Sequence, residues 1–135
     1  MRIVHEIISS IKKTYPQLIL SIRFPGQDLL EGGITKNEAI EIAKNFEQIG
    51  VDLLNVSSGM GGWRRPKTRR GEGYLVEDAH RLKQNVKIPV IGVGGIKTID
   101  YIEKILQSQQ VDLVAVGREI LTERENFKKR YFMCA

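Results

Sequence analysis

The fold is decided by a hexapeptide that occurs twice, as Val51-Asp52-Leu53-Leu54-Asn55-Val56 and as Val111-Asp112-Leu113-Val114-Ala115-Val116. Each copy is a short apolar run with an aspartate at its entrance, which is typical of a strand buried on both faces of a parallel sheet. Two further runs of this kind occur, one before each copy, at Leu18 to Ile22 and at Ile88 to Val93. We therefore predict four parallel strands.

Segments with helical periodicity separate the four predicted strands. After the first strand, Thr35-Lys36-Asn37-Glu38 forms a capping box, and Gly50 is placed to end that helix in a left-handed conformation. The other helices are predicted over Ile3 to Lys13, Val76 to Asn85 and Thr98 to Gln107, with one more after the fourth strand. The alternation predicts an α/β fold of parallel βα units joined by right-handed crossovers, as in barrels and doubly wound sheets.

The charge of the chain is concentrated in one loop. The 135 residues include 21 Lys and Arg against 16 Asp and Glu, for a net charge of +5. Five cations fall in one short stretch beside Trp63, and without them the chain would be neutral: Arg64, Arg65, Lys67, Arg69 and Arg70. A neutral body with one basic loop argues against a nucleic-acid coat protein. A solvated loop is the commoner case for such a stretch, although a long loop at a strand end can also contact substrate, or bind nucleic acid with Trp63 as a thin stacking platform.

Composition excludes several other classes of protein. No apolar run approaches the roughly 18 residues of a membrane span, and the first ten residues lack signal-peptide character. Cys134 is the single cysteine, so no internal disulfide can form and a reducing cytoplasmic location is expected. We expect His5 and His80 on solvated helix faces, 75 positions apart, and we predict no metal site.

Glycine marks the ends of the last two predicted strands. Gly94-Gly95 and Gly117-Arg118 each lead from a strand into a helical segment. A phosphate can approach the backbone N–H groups of such turns, and Arg118 could add bidentate hydrogen bonds. A tight turn explains either pair alone equally well, whereas two pairs on neighbouring strands favour phosphate binding. Lys97 stands where a dinucleotide fingerprint requires its last glycine, so that motif is not formed.

A charged residue ends the first predicted strand. Arg23 follows five residues that are mostly apolar, where an unpaired charge would be costly outside a solvated ligand site. The guanidinium could stabilise an anionic cofactor or a developing negative charge. It could equally form an ion pair with a nearby carboxylate such as Asp28, and both interpretations stay open.

Five stretches of this sequence, taken in order, resemble the C-terminal half of the Old Yellow Enzyme family of NAD(P)H:flavin oxidoreductases. They are Ser21-Ile22-Arg23-Phe24, Gly32-Gly33-Ile34-Thr35, Gly50 to Gly59, Ile88 to Ile96 and Asp112 to Arg118, and the likeness extends from about Ile3 to Tyr131. That family folds as an eight-stranded (β/α)8 TIM barrel that binds FMN. The resemblance therefore implies half of such a barrel, with residues 1–135 as a single partial domain.

The resemblance also implies roles for five residues. Arg23 would lie beside the flavin pyrimidine and stabilise the reduced, anionic ring, while Gly94, Gly95, Gly117 and Arg118 would hold the FMN phosphate. NAD(P)H would be the reductant in full-length relatives. The family's proton-donating tyrosine and its substrate-binding His/His or His/Asn pair belong to the first four strands, which have no counterpart here. We therefore assign no catalytic residue in this chain.

Half of a barrel would leave two sheet edges and an apolar inner face unpaired, which invites association. We expect either a homo-oligomer or pairing with the missing N-terminal half. The favoured function is that of an FMN-binding oxidoreductase fragment, with ene-reductase chemistry in full-length relatives. The alternatives are a non-catalytic half-barrel that binds a phosphorylated ligand or self-assembles, and nucleic-acid binding through residues 64–70. The second is weaker, because that loop lies on the rim where the flavin would sit.

Overall fold

The computed structural model describes residues 2–59 and 71–122. The basic loop at residues 64–70, Trp63 and Cys134 lie outside the described residues. Helices and strands alternate as predicted: α1 (Arg2–Thr14), β1 (Ser21–Pro25), α2 (Lys36–Gln48), β2 (Leu53–Ser57), α3 (Val76–Lys83), β3 (Val90–Gly92), α4 (Ile99–Gln107), β4 (Leu113–Val114) and α5 (Arg118–Thr122).

The four strands form one parallel sheet in the order β1-β2-β3-β4. Leu54, Val56 and Val90 are fully buried on the face that the helices cover. The opposite face, called here the inner face, is only partly covered, and Arg23 and Leu113 are exposed on it. This partly exposed face agrees with the prediction that half of a barrel leaves its inner face uncovered. Strands this apolar are typical of a sheet whose second face is covered in the complete fold.

All four strands differ in extent from the prediction: β2 is Leu53–Ser57 and β3 is Val90–Gly92, against predicted runs at 51–56 and 88–93. β1 begins at Ser21, not at Leu18, and Leu18 and Ile19 remain exposed in the connection before it. β1 also runs on to Pro25, which an edge strand tolerates because its outer side needs no N–H donor. β4 is confined to Leu113–Val114, within the predicted run of six residues.

The helix ends follow the predicted signals closely. The Thr35 Oγ1 accepts from the Glu38 N–H at 3.3 Å, and the Glu38 carboxylate accepts from the Thr35 N–H at 2.8 Å, which completes the capping box. Gly50 ends this helical segment with a φ of +94°. Thr98 caps α4 by accepting from the Tyr101 N–H at 3.3 Å. α3 ends at Lys83, two residues before the predicted Asn85.

The repeated hexapeptide provides a repeated contact at the amino ends of the strands. The Asp52 carboxylate accepts from the Leu20 N–H just before β1 at 2.8 Å and forms an ion pair with Lys12 of α1. The Asp112 carboxylate accepts from the Val90 N–H of β3 at 2.9 Å and lies 2.9 Å from the Nζ of Lys83, at the end of α3. Each aspartate thus ties its own strand to the preceding strand and to the helix before that strand.

We expect Asp52→Asn to lower the free energy of unfolding by about 1 kcal/mol at neutral pH, since the ion pair is partly exposed. The hydrogen bonds from Lys12 and from the Leu20 N–H hold the pKa of Asp52 below its ordinary value of 3.8. A carboxyl whose pKa is lowered by folding adds stability above its ordinary pKa, and this stability disappears as the pH falls through the folded-state value. Urea unfolding at about pH 7 and about pH 3 should therefore show the difference from wild type shrinking in acid.

Glu31→Gln is the matched control, because Glu31 is exposed and belongs to no ion pair of the described residues. It should leave the unfolding midpoint unchanged at both pH values. A destabilisation by Asp52→Asn that is equally large in acid would contradict the assigned ion pair.

Candidate functional site

The two glycine-containing turns, Gly94-Gly95 and Gly117-Arg118, lie side by side at the carboxyl ends of β3 and β4. β3 and β4 are hydrogen-bonded neighbours in parallel register, and the Ala115 N–H donates to the Gly92 oxygen at 2.9 Å. The Lys97 Nζ, two residues beyond Gly95, lies 3.9 Å from the Glu119 Oε2, two residues beyond Gly117. The structure thus brings together four of the five residues that the sequence indicates for cofactor binding.

Backbone conformation and close packing both require glycine after β3. Gly94 and Gly95 have φ angles of +116° and +67°. A β-carbon on Gly94 would lie 2.9 Å from the backbone nitrogen of Leu75, and one on Gly95 would lie 3.1 Å from the ring of Tyr74. The tight-turn interpretation therefore accounts for these two glycines as conformational necessities, and a ligand must be argued from the polar groups that the turn presents.

Those polar groups are backbone N–H donors without acceptors. Within residues 2–59 and 71–122, the N–H groups of Gly94, Gly95 and Ile96 donate no hydrogen bond, nor do those of Gly117 and Arg118. A β-carbon on Gly117 would meet no atom within 4 Å, so this turn opens onto free space. We call the five N–H groups the cradle. Unbonded backbone donors at two neighbouring strand ends provide the chemistry that holds an oxyanion.

The structure places Arg23 away from the cradle, in the middle of β1. Its side chain is exposed on the inner face, level with Asn55, Ile91 and Leu113 on the three following strands. In the part of the chain described, no carboxylate pairs with Arg23. The ion pair with Asp28 is therefore wrong, and the Asp28 carboxylate instead accepts from the Ile34 N–H at 2.8 Å.

Asn55 was not singled out from the sequence, where it looks like one polar residue in an apolar strand. Its Oδ1 is buried and has no hydrogen-bond partner. It lies on the strand next to Arg23 and in register with it, so among residues 2–59 and 71–122 the inner face presents a cation without an ion-pair partner beside an acceptor without a donor. A buried acceptor without a donor is costly, which is consistent with a group that is completed by a ligand or by a neighbouring side chain.

A buried polar cluster fixes the loop that follows β1, and sequence reasoning missed it as well. Asp78 of α3 is 1% exposed, accepts from the Gln27 Nε2 at 2.8 Å and forms an ion pair with Arg81. The backbone carbonyl oxygen of Gln27 in turn accepts from the Gly59 N–H after β2 at 3.1 Å. The first two strand ends are therefore tied to each other and to α3. Asp78 and Arg81 are spaced like an ordinary surface ion pair, so the sequence gives no signal of burial.

The two histidines are partly buried, which corrects the expectation of solvated helix faces. The His5 Nε2 lies 3.0 Å from the Asn45 Oδ1, and the His80 Nδ1 lies 3.2 Å from the backbone carbonyl oxygen of Gln110. Each histidine thus contacts a distant part of the chain. No helix among the described residues combines the length and the apolar character needed to cross a bilayer.

Comparison with known protein families identifies one that matches almost the whole chain. The model described as the NADH:flavin oxidoreductase / NADH oxidase family matches residues 1–130. Among curated relatives, an NADH oxidase of Thermoanaerobacter brockii is 37% identical over 133 residues, covering 96% of this chain and 20% of the relative. An NADPH dehydrogenase of Clostridium acetobutylicum is 32% identical over 122 residues, covering 89% of this chain and 35% of the relative.

Solved structures match the fold over a similar share of their length. Histamine dehydrogenase from Rhizobium sp. 4-9 superposes with a TM-score of 0.81 at 18% identity, covering 98% of this chain and 19% of that protein. The old yellow enzyme homologue from Zymomonas mobilis gives a TM-score of 0.67 at 14% identity, covering 99% of this chain and 37% of that protein. The chain thus spans between a fifth and just over a third of these proteins. Together with the four-stranded parallel sheet, this confirms the predicted half-barrel.

We expect Asp78→Ala to lower the free energy of unfolding by about 3 kcal/mol, because the Arg81 guanidinium and the Gln27 amide would lose their Asp78 partner in a buried environment. Chemical denaturation followed by circular dichroism measures this loss. Glu103→Ala, an exposed change on α4, should cost less than about 0.5 kcal/mol. Equal stability of the two variants would contradict the assigned cluster.

Proposed function

Because this chain belongs to the NADH:flavin oxidoreductase / NADH oxidase family, we propose that it is the FMN-phosphate half of a flavin-dependent oxidoreductase barrel. Membership of the family implies FMN as the cofactor and NAD(P)H as the reductant. The observation that carries the proposal is the cradle, where five backbone N–H groups at two neighbouring strand ends donate no hydrogen bond within the described residues.

The groups of the cradle fit a phosphate monoester. The N–H groups of Gly94, Gly95 and Ile96 would donate to its oxygens from one side, and those of Gly117 and Arg118 from the other. The Arg118 side chain is exposed at the start of α5, where its guanidinium can add two parallel hydrogen bonds. Absence of a side chain on Gly117 leaves the space into which the phosphate would fit.

Arg23 is proposed as the residue that holds the charge of the flavin ring. When bound, FMN supplies the hydride chemistry, and the protein contributes position and electrostatics. The Arg23 guanidinium carries a full positive charge on an inner face whose other members in its row are neutral. A cation in this position favours negative charge on a ring system lying across the inner face.

We propose NAD(P)H-dependent reduction of an activated C=C bond by a longer protein of which residues 1–135 form one partial domain. The relatives that carry the names NADH oxidase and NADPH dehydrogenase are longer than this chain, which supports that view. We assign no catalytic acid here, and a cytoplasmic location belongs to the same proposal.

Exposed apolar side chains support a partner for the half-barrel. Ile3 and Ile7 on α1 are 70% and 53% exposed, Ile19 before β1 is 77% exposed, and Leu113 on the inner face is 48% exposed. α1 and β1 stand at the first edge of the sheet, where a preceding strand of a complete barrel would pair. We propose that the N-terminal half of the barrel covers these residues, and that a second copy of the chain substitutes for it when the chain is alone.

Arg118→Ala should weaken FMN binding about tenfold or more, because it removes charge-assisted hydrogen bonds to the phosphate. Quenching of flavin fluorescence on titration with the chain measures the dissociation constant. Arg2→Ala is the matched control, since Arg2 is an exposed arginine on α1 whose contact is with Glu6.

Riboflavin, which lacks the phosphate, separates the cradle from the rest of the site. It should bind the wild type more weakly than FMN does, and Arg118→Ala should leave its affinity unchanged. Equal affinity of the wild type for FMN and riboflavin would contradict the assignment of the cradle as a phosphate site.

Wild-type chain should self-associate at micromolar concentration, and Ile7→Glu should shift it towards the monomer by placing a charge on the apolar stripe of α1. Sedimentation velocity measures both. Ser9→Glu introduces the same charge on the same helix at an exposed polar position and should leave association unchanged. A wild type that stays monomeric at high micromolar concentration would argue against the proposed covering of these surfaces.

A further inference from the structure

The donors at the N-terminus of α4 are occupied by a side chain from a distant part of the sequence. The Glu72 carboxylate accepts from the backbone N–H groups of Lys97 and Thr98, each at 3.0 Å, and from the Thr98 hydroxyl at 3.0 and 3.1 Å. These N–H groups come directly after the unbonded N–H groups of Gly94, Gly95 and Ile96 in the chain. Glu72 therefore divides one continuous row of donors into an open part and a filled part.

The contacts of Glu72 go beyond what capping α4 requires. Thr98 already caps this helix, since its own Oγ1 accepts from the Tyr101 N–H. Partial burial acts to raise the pKa of Glu72, but the hydrogen bonds from Thr98 and Lys97 outweigh it and hold that pKa below its ordinary value. The side chain is thus a carboxylate at neutral pH, and it places a full negative charge at the border of the cradle.

The neighbours of Glu72 hold it against the turn after β3. Gly73 packs so tightly on the ring of Tyr101 that a β-carbon would overlap it. The Tyr74 N–H donates to the Gly94 oxygen at 3.0 Å, and the Tyr74 ring covers Gly95. Residues 71–75 therefore form a wall of the cradle, and Glu72 is a fixed part of that wall.

We propose that Glu72 is a specificity-determining residue that restricts the cradle to a single phosphate group and rejects a diphosphate. The first phosphate needs the open donors at residues 94–96 and at Gly117 and Arg118. A second phosphate linked to it would need the next donors along the row, which are those of Lys97 and Thr98. Glu72 fills these donors and repels the additional negative charge. The ligand class selected is a phosphate monoester such as FMN over a diphosphate such as FAD, and the inference rests on the phosphate site of the proposed function.

Isothermal titration with inorganic phosphate and inorganic pyrophosphate tests this inference without a flavin. We expect Glu72→Ala to bind pyrophosphate about tenfold more tightly than the wild type, because two N–H donors are freed and one negative charge is removed. Its affinity for phosphate should rise by about twofold at most, because phosphate gains no new donor and benefits only from the loss of one screened negative charge. Glu72→Gln keeps an oxygen acceptor on the two N–H groups and should show a smaller gain for pyrophosphate.

Asp100→Ala is the matched control, since Asp100 is an exposed acid in the first turn of the same helix and contacts neither N–H group. It should leave both affinities unchanged. An equal gain in Asp100→Ala would reduce the effect to net charge and overturn the inference. So would pyrophosphate affinities in Glu72→Ala and Glu72→Gln that match the wild type in chains whose circular dichroism is native.

The proposed function and the role of Glu72 are overturned by different results. A wild type that does not distinguish FMN from riboflavin would overturn the proposed function, whatever Glu72 does. A wild type that binds FMN through its phosphate, with no gain for pyrophosphate in Glu72→Ala, would overturn the role of Glu72 alone.

Discussion

The parallel pairing of β3 with β4 is the constraint on which the candidate site depends. Parallel strands send their carboxyl ends to one edge of a sheet, and here each of these two strands is followed by a glycine turn. At the amino ends of these strands, Asp112 holds the register by accepting from the Val90 N–H and by pairing with Lys83. The amino ends of the two strands carry the stabilising contacts, and their carboxyl ends carry the candidate site. The two are linked, because a slip in register at Asp112 would move the two turns apart.

The partly exposed inner face of the half-barrel leaves a charged side chain open to solvent. A sheet closed into a full barrel fills its interior with side chains, whereas here Arg23 and Leu113 are exposed and the Asn55 Oδ1 has no hydrogen-bond donor among the described residues. The Arg23 guanidinium, which forms no ion pair with the described carboxylates, is tolerated on such a face because water reaches it. The same position would need an anionic ligand if a second half-barrel covered it. We therefore expect a partner that covers the inner face and an anionic cofactor that neutralises Arg23 to favour each other's binding.

Local signals account for what could be predicted from the sequence. The capping box at Thr35 and Glu38, the left-handed Gly50 and the glycine turns at the strand ends each depend on residues within a few positions of one another, and all lie where the sequence indicates. The start of β1 at Ser21 could not be predicted from local signals, because Leu18 and Ile19 are as apolar as the residues of the strand itself.

Contacts between distant residues were beyond the reach of the sequence. Asp78 meets Gln27 across 51 positions, and Glu72 meets Thr98 across 26 positions. Either acid alone is indistinguishable from a solvated side chain, and only the packing of α3 and α4 against the sheet shows what each one touches. The likeness to a flavoprotein family indicated where a phosphate would bind, but it gave no sign that Glu72 borders the site.

The assignment of amide resonances in the isolated chain, followed by titration with FMN, tests the central claim most directly. Binding of the phosphate in the cradle predicts that the largest chemical-shift changes fall on the N–H groups of Gly94, Gly95, Ile96, Gly117 and Arg118. Inorganic phosphate should shift the same amides in the same direction. Changes confined to other parts of the chain, or a spectrum that FMN leaves unchanged, would contradict the account.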